Sequence, residues 1–191
     1  MAIVGPSGCG KTTLLLALAG LIPIASGQAR VMSDSVSALA PRERAKRVGV
    51  VFQDYQLFPH LNVMENVCLA PSLHRIEGHR DSAEALLARL EIDDLASHGC
   101  HELSGGQRQR VAIARCLVLK PSVVLFDEPS AALDPRTSRD LAELLGSLSE
   151  TTQVVVVSHD PAFVTACCPR AARLEKGRIA GLGTPADLFD H

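Results

Sequence analysis

The 191-residue chain has no tryptophan, one tyrosine and only 3% aromatic residues. A core built from it is expected to be aliphatic, filled by the residues that bring the hydrophobic share to 47%. An excess of positive charge is also missing. The 19 Lys and Arg stand against 21 Asp and Glu, for a formal net charge of −2 and a pI near 6.4. Domains that bind nucleic acid tend to be strongly basic, so no nucleic-acid partner is expected. Long apolar runs are absent too: the longest, residues 14–25, is broken by Gly20 and Pro23 and is too short to span a bilayer. Membrane association must then come through a partner. Six cysteines are present, Cys9, Cys68, Cys100, Cys116, Cys167 and Cys168, without a C-x-x-C pair. They read as reduced thiols of a cytosolic protein, not as a disulfide framework or a zinc site.

The length favours one domain, long enough to bury a substantial core. Short Val/Leu-rich runs alternate with helical stretches along it. Strands are expected at residues 2–4, 48–52, 123–126 and 153–157, and a helix at 11–21. Between them, residues 26–47 read as a short strand, a turn and a basic helix whose charges form a solvated face. Residues 60–118 read as mainly helical, with apolar positions Leu86, Leu87 and Leu90 on one helix. Another helix starts with Ser104 as its N-cap and closes before Pro121. A hairpin is expected around Lys176 and Gly177, then a last short helix capped by Thr184 with Pro185 at its first position. Near-continuous apolar strands separated by helices imply an α/β fold, a mainly parallel sheet covered on both faces.

The polar residues that stand out follow strand ends. Gln53, Asp127, Glu128 and His159 each lie at or just past an expected strand, as does the loop at residues 5–12. Ligands of open α/β sheets bind outside the carboxyl ends of the strands. That loop, "GPSGCGKT", matches G-x-x-x-x-G-K-[ST] at Gly5, Gly10, Lys11 and Thr12. In this pattern glycines curl the backbone so that N–H groups converge on phosphate oxygens, at the positive end of a helix dipole. Lys11 would reach the β- and γ-phosphates and Thr12 would ligate Mg²⁺. A chance match in a chain this long has a probability under about 1% at average residue usage. Asp127 can hold Mg²⁺ through water, and Glu128 can orient or deprotonate an attacking water, the chemistry of phosphoryl transfer to water.

The stretch "LSGGQRQRVAIAR", at 103–115, selects a family. The sequence resembles the nucleotide-binding subunits of ATP-binding-cassette (ABC) transporters, with the motifs in the family's order. They are a Walker A loop "GPSGCGKTT", a Q-loop glutamine at Gln53, the signature "LSGGQ", a Walker B segment "VVLFDE", a D-loop "SAALD" and a switch histidine at His159. The resemblance implies a P-loop NTPase fold: a RecA-like core at 1–59 and 119–191, and a helical signature subdomain at 60–118. It implies ATP and Mg²⁺ as cofactors, held by Gly5, Pro6, Ser7, Gly8, Cys9, Gly10, Lys11, Thr12 and Thr13. Thr12, Gln53 and Asp127 would serve the metal. Glu128 would be the general base, with His159 on the γ-phosphate and Gln53 relaying closure. Two cassettes would pack head to tail, so that Ser104, Gly105, Gly106 and Gln107 of one complete the ATP site of the other, with Asp134 in the seam. Ala131 stands in the D-loop where the family often has Ser, which puts one seam hydrogen bond in question.

The partners so implied are a paired ABC subunit or second copy, transmembrane permease subunits and an extracytoplasmic solute-binding protein. The location implied is peripheral, on the cytoplasmic face of the plasma (inner) membrane. "LFPHLNVMENVCLAP" and "LFDEPSAALDP" resemble importer ATPases of the polar amino acid group, and the thiamine importer ATPase shares the signature run. Polar amino acid import ranks first, with thiamine or another importer or exporter as the alternative. DNA-repair and chromosome ATPases carry a long coiled coil between the P-loop and the signature. Here only 93 residues separate Lys11 from Ser104, without sustained heptads.

The family also carries, ahead of its Walker strand, two antiparallel strands and an aromatic residue stacked on adenine. Nothing of this kind precedes Ala2 here, so the sequence reads as N-terminally truncated by start-site choice, with those strands missing. Base stacking on an aromatic contributes about 1–3 kcal/mol, so ATP affinity is expected to fall about ten- to a hundredfold. A hydrolysis-deficient short form is the alternative function. The chain stops soon after "GTPADLF", where sugar and methionine importers continue into a regulatory extension. Cys9, in the P-loop, reads equally as a reactive thiol or a small filler.

Overall fold

The structure, a computed structural model, describes residues 1–189. The chain divides into two compact units. One comprises Met1–Gln53 and the chain from Ser122 on; the other is Asp54–Pro121.

The first unit is built on a six-stranded sheet. Strand β1 (Ala2–Val4) has every residue buried. It leads through the glycine-rich loop into helix α1 (Lys11–Leu18). The helix was expected to continue to residue 21 but stops at Leu18, because Gly20 turns left-handed (φ +67°). The N–H of Gly20 then bonds to the Ala17 carbonyl at 3.0 Å and that of Leu21 to Leu16 at 2.9 Å. This paired closure satisfies carbonyls that the helix end would otherwise leave open. Next come the two-residue strands β2 (Arg30–Val31) and β3 (Asp34–Ser35), paired antiparallel, helix α2 (Pro41–Ala45) and strand β4 (Val48–Val51).

The second unit supplies α3 (Val63–Leu73), α4 (His79–Arg89) and α5 (Gly105–Leu117). Two of the three open on reciprocal caps. Asn62 and Glu65 exchange backbone-to-side-chain bonds of 2.8 Å at the start of α3. The loop before α3 is pinned from both ends. Asn66, fully buried, accepts from the Phe58 N–H at 2.9 Å and donates to the Phe58 and Leu61 carbonyls. Arg115 donates to the Tyr55 and Gln56 carbonyls at 2.8 and 2.6 Å and lies 5.7 Å from the Phe58 ring centre.

The chain then returns to the first unit with β5 (Val123–Asp127), α6 (Pro135–Leu148), β6 (Gln153–Val157), α7 (Pro161–Cys167), β7 (Ala171–Glu175), β8 (Arg178–Gly183) and α8 (Pro185–Phe189). The sheet order is β4-β5-β6-β1-β7-β8, parallel except for the antiparallel β8. The β7–β8 turn is the expected one: Lys176 and Gly177 both take positive φ, which suits the right-handed twist of a hairpin. Thr184 accepts from the Asp187 N–H at 3.4 Å, in the capping position assigned to it.

Side chains from several elements meet in one cluster that includes Ile3, Leu15, Val36, Leu125, Val157 and Leu174. The core is aliphatic as the composition requires, with two exceptions: Phe126 and Phe163 are buried. The scarcity of aromatics limited their number, not their depth. Phe126 is fully buried on β5, an interior strand of the sheet, so Phe126→Ala removes a ring and leaves a cavity. The expected loss is about 3–5 kcal/mol of stability, read as a lower urea midpoint at unchanged slope.

Candidate nucleotide-binding site

Because β1, β4, β5 and β6 run parallel, their carboxyl ends lie on one edge of the sheet. At that edge is a cleft of about 660 Å³, lined by Pro6, Ser7, Gly8, Gly10, Lys11, Thr12 and Thr13, with Gln53, Glu128, Ala131 and His159 opposite. Its size falls in the range of small-molecule sites.

The loop that follows β1 owes its shape to glycine. A Cβ on Gly5 would collide with the Leu174 carbonyl oxygen, and Gly10, the N-cap of α1, sits at φ +102°. Lys11 is buried to 7% exposure, and its ammonium folds back to donate to the Gly5 and Pro6 carbonyls at 2.9 and 3.1 Å. Cys9 turns its thiol away from the cleft into the hydrophobic cluster. Its side chain is therefore the filler of the two readings offered by the sequence.

The two sides of the cleft are joined by short contacts. Thr12 Oγ1 donates to Asp127 Oδ1 at 3.0 Å. Glu128 places Oε2 2.9 Å from His159 Nδ1 and Oε1 3.8 Å from Lys11 Nζ. Glu128 takes a left-handed backbone conformation (φ +45°), a strain that cores tolerate mainly at functional positions. Its N–H is fixed by the Val157 carbonyl at 2.8 Å, which ties the end of β5 to the end of β6. His159 is exposed on the short link between β6 and α7. Burial pushes the Asp127 carboxyl up from its ordinary value; the Thr12 hydrogen bond opposes this, the Glu128 charge adds to it, and Lys11 opposes it.

These donors suit a hard divalent cation and a polyphosphate. A hydroxyl and a carboxylate oxygen already meet at the loop, the type of ligand that Mg²⁺ takes alongside phosphate oxygens. No group of three or more His, Cys, Asp or Glu with metal-binding spacing occurs among the described residues. A cation here would thus rest on Thr12, Asp127 and the phosphates together, with Gln53 exposed at the cleft rim.

Other residues singled out from the sequence have local roles. Asp134 is the N-cap of α6: its Oδ1 accepts from the Arg136 and Thr137 N–H groups, and its Oδ2 from the Thr137 hydroxyl at 2.6 Å. The Thr137 hydroxyl, followed by the Thr137 N–H, holds the Asp134 carboxyl below its usual range. The sequence reading missed this capping role, though "LDPRT" carries the signal of an Asp before Pro at the first helical position. Ala131 also lines the cleft, which sequence reasoning noted only as a departure from a pattern. The signature residues belong to the second unit. Ser104 caps α5, its Oγ accepting from the Gln107 N–H at 3.3 Å while the Gln107 side chain accepts from the Ser104 N–H at 2.8 Å. Gly105 and Gly106 form the first turn, so the signature is a helix N-terminus with free N–H groups.

A nucleotide cleft on this fold defines a P-loop ATP-binding cassette, and comparison with known proteins gives the family. The family model described as "ABC transporter" matches residues 1–131. The chain belongs to this family, whose cassettes bind ATP with Mg²⁺. It is 42% identical over 197 residues to the glutamine transport ATP-binding protein GlnQ of Escherichia coli, covering 99% of this chain and 81% of that one. It is 40% identical over 193 residues to the spermidine/putrescine import ATP-binding protein PotA of Treponema pallidum, covering 99% of this chain and 50% of that one. Among solved structures, the ATP-binding cassette MJ0796 bound to ADP and Pi superposes with a TM-score of 0.82 at 33% identity, over 96% of this chain and 84% of that one. The chain spans about half the length of most of the curated relatives that it matches.

The elevated Asp127 pKa has a sign that can be tested. A carboxyl whose folded pKa lies above its unfolded one stabilises below the unfolded value, and the contribution is lost as pH rises through the folded value. Between the ordinary value of 3.8 and the elevated one, Asp127 thus makes stability fall with rising pH. Denaturation of the nucleotide-free protein across this window should show Asp127→Asn gaining relative to wild type as pH rises. A difference curve of opposite slope would refute the dominance of burial.

Proposed function

We propose that the chain binds ATP with Mg²⁺ in this cleft and hydrolyses it as the nucleotide-binding subunit of an ABC importer. The observation that carries the reading is the convergence of the Thr12–Asp127 and Glu128–His159 pairs on the glycine loop. The backbone from Gly5 to Thr13 cradles the phosphates, and Lys11 exchanges its two carbonyl partners for phosphate oxygens. Thr12 and Asp127 hold the Mg²⁺, which when bound neutralises phosphate charge; Gln53 stands at the rim beside it. Glu128 accepts a proton from the attacking water. The His159 imidazole fixes that carboxylate and faces the γ-phosphate. Ser104, Gly105, Gly106 and Gln107 of a second cassette close the site, with Asp134 in the seam.

No helix among the described residues is long and apolar enough to cross a membrane. The proposed setting, supported by the likeness to importer ATP-binding subunits, is peripheral, on the cytoplasmic face of the inner membrane, bound to permease subunits and served by a solute-binding protein. The proposed internal division is a RecA-like core at 1–59 and 119–191 with a helical subdomain at 60–118; the compact units divide a few residues away, after Gln53 and before Ser122. The solute is small and polar. Polar amino acid import is the leading assignment, supported by the 42% identity to a glutamine transport subunit. The 40% identity to a polyamine importer subunit makes polyamine the competitor that an uptake assay must separate.

Phosphate release by the purified chain with MgATP tests the central claim. Glu128→Gln should lower turnover by about two to four orders of magnitude and leave ATP binding intact. Undiminished hydrolysis in that variant would remove Glu128 as the base. ATP binding by wild type with no hydrolysis would establish the hydrolysis-deficient alternative.

A further inference from the structure

Adjacent residues rarely bring their side chains together. Successive positions are splayed around a helix and alternate across a strand. Cys167 and Cys168 are an exception, with sulfurs 3.7 Å apart. The local sequence "CCPR" accounts for it. Cys167 is the last residue of α7 and is helical. Pro169 disfavours the helical conformation for the residue before it, and Cys168 is extended at φ −129°, ψ 117°. A helical residue followed by an extended one bends the chain sharply. Here it turns both thiols to the same side.

The pair is chemically unequal as well as close. Cys167 and Cys168 are 8% and 3% exposed. The hydrogen bond between the two thiols lowers the Cys168 pKa to about 7, against burial and with help from the N-terminal ammonium, and raises that of Cys167. One sulfur is thus the better nucleophile and its neighbour holds a proton within reach.

We propose that Cys167 and Cys168 form a reversible redox site that closes to a vicinal disulfide, an eight-membered ring, under hydrogen peroxide. The Cys168 thiolate attacks the peroxide oxygen: an S–O bond forms, the O–O bond breaks, and the second oxygen leaves as water after taking a proton. The Cys167 sulfur then attacks the Cys168 sulfenic sulfur. The S–S bond forms, the S–O bond breaks, and the hydroxide departs as water with the Cys167 proton. Two thiols and one peroxide give one disulfide and two waters, and a dithiol reductant reverses the change. None of these steps uses the nucleotide cleft, so the inference stands apart from the proposed ATPase activity.

The two cysteines lie alone on the tryptic peptide 140–170, which isolates them from the other four thiols. The full chain is treated with hydrogen peroxide, blocked with iodoacetamide and digested. The expected product is that peptide unalkylated and about 2 Da lighter than its reduced form, restored by dithiothreitol. Cys167→Ser should instead leave Cys168 as a sulfenic acid that dimedone traps. A wild-type peptide that stays doubly alkylated while Cys68 is oxidised would overturn the proposal. So would Cys168 gaining oxygen in wild type without loss of the 2 Da. Wild type decides both outcomes, whatever the variant does to folding.

Discussion

Everything in the first unit depends on a three-residue strand finding both of its neighbours. Ala2–Val4 has β6 on one side and β7 on the other, and both come from more than 150 residues further along. Closing so large a loop carries an entropic cost that grows only with the logarithm of its length. Burial of Ala2, Ile3 and Val4 between these two strands offsets it. The pairing also shapes the site directly. With Val4 opposite Arg173, the next carbonyl on β7, that of Leu174, presses against Gly5. The phosphate loop therefore takes its first turn against a strand that a three-residue stub could not have supplied.

Charge governs what that loop can do. A nearly buried ammonium, Lys11, and two carboxylates meet where water is partly excluded, and burial pushes the Asp127 carboxyl up. Asp127 is held by Thr12, and Glu128 is shared between Lys11 and His159. These side chains bond one another. A polyphosphate with its cation is the ligand that offers the ammonium negative oxygens and the carboxylates a positive partner at once. The strained backbone at Glu128 aims the carboxylate, and the short bond to the Val157 carbonyl keeps that aim tied to the end of β6, two residues before His159.

Local rules explain the helix termini of both units. Asn62, Ser104, Asp134 and Asp160 each accept a backbone N–H at a helix start, and each is a residue whose side chain competes well for that bond. Two of these caps, Ser104 and Asp134, lie within motifs that the sequence flagged for nucleotide contact. The same side chain sets a helix in place and belongs to the recognition pattern. Proline works in the same way beside the thiol pair: Pro169 sets the conformation of Cys168 without touching its chemistry.

Much of this was legible in the residue order. The apolar runs marked β1, β4, β5 and β6, because parallel strands buried on both faces must be apolar throughout. The spacing of Gly5, Gly10, Lys11 and Thr12 marked the loop, because phosphate binding needs those residue types in that order. Gly20 illustrates what was missed: helix formers continue to Leu21, yet a left-handed glycine ended α1 three residues earlier. The burial of Phe126 followed from its place in the apolar run of β5, but which of its two readings Cys9 follows and the contact between Glu128 and His159 were not readable. The sequence by itself determined which elements form and which chemistry sits at their ends, since periodicity and motif spacing are local properties of the chain. Only the tertiary structure decided strand order, side-chain direction and who bonds whom, because those depend on residues that meet across separations from about 30 to more than 150 positions.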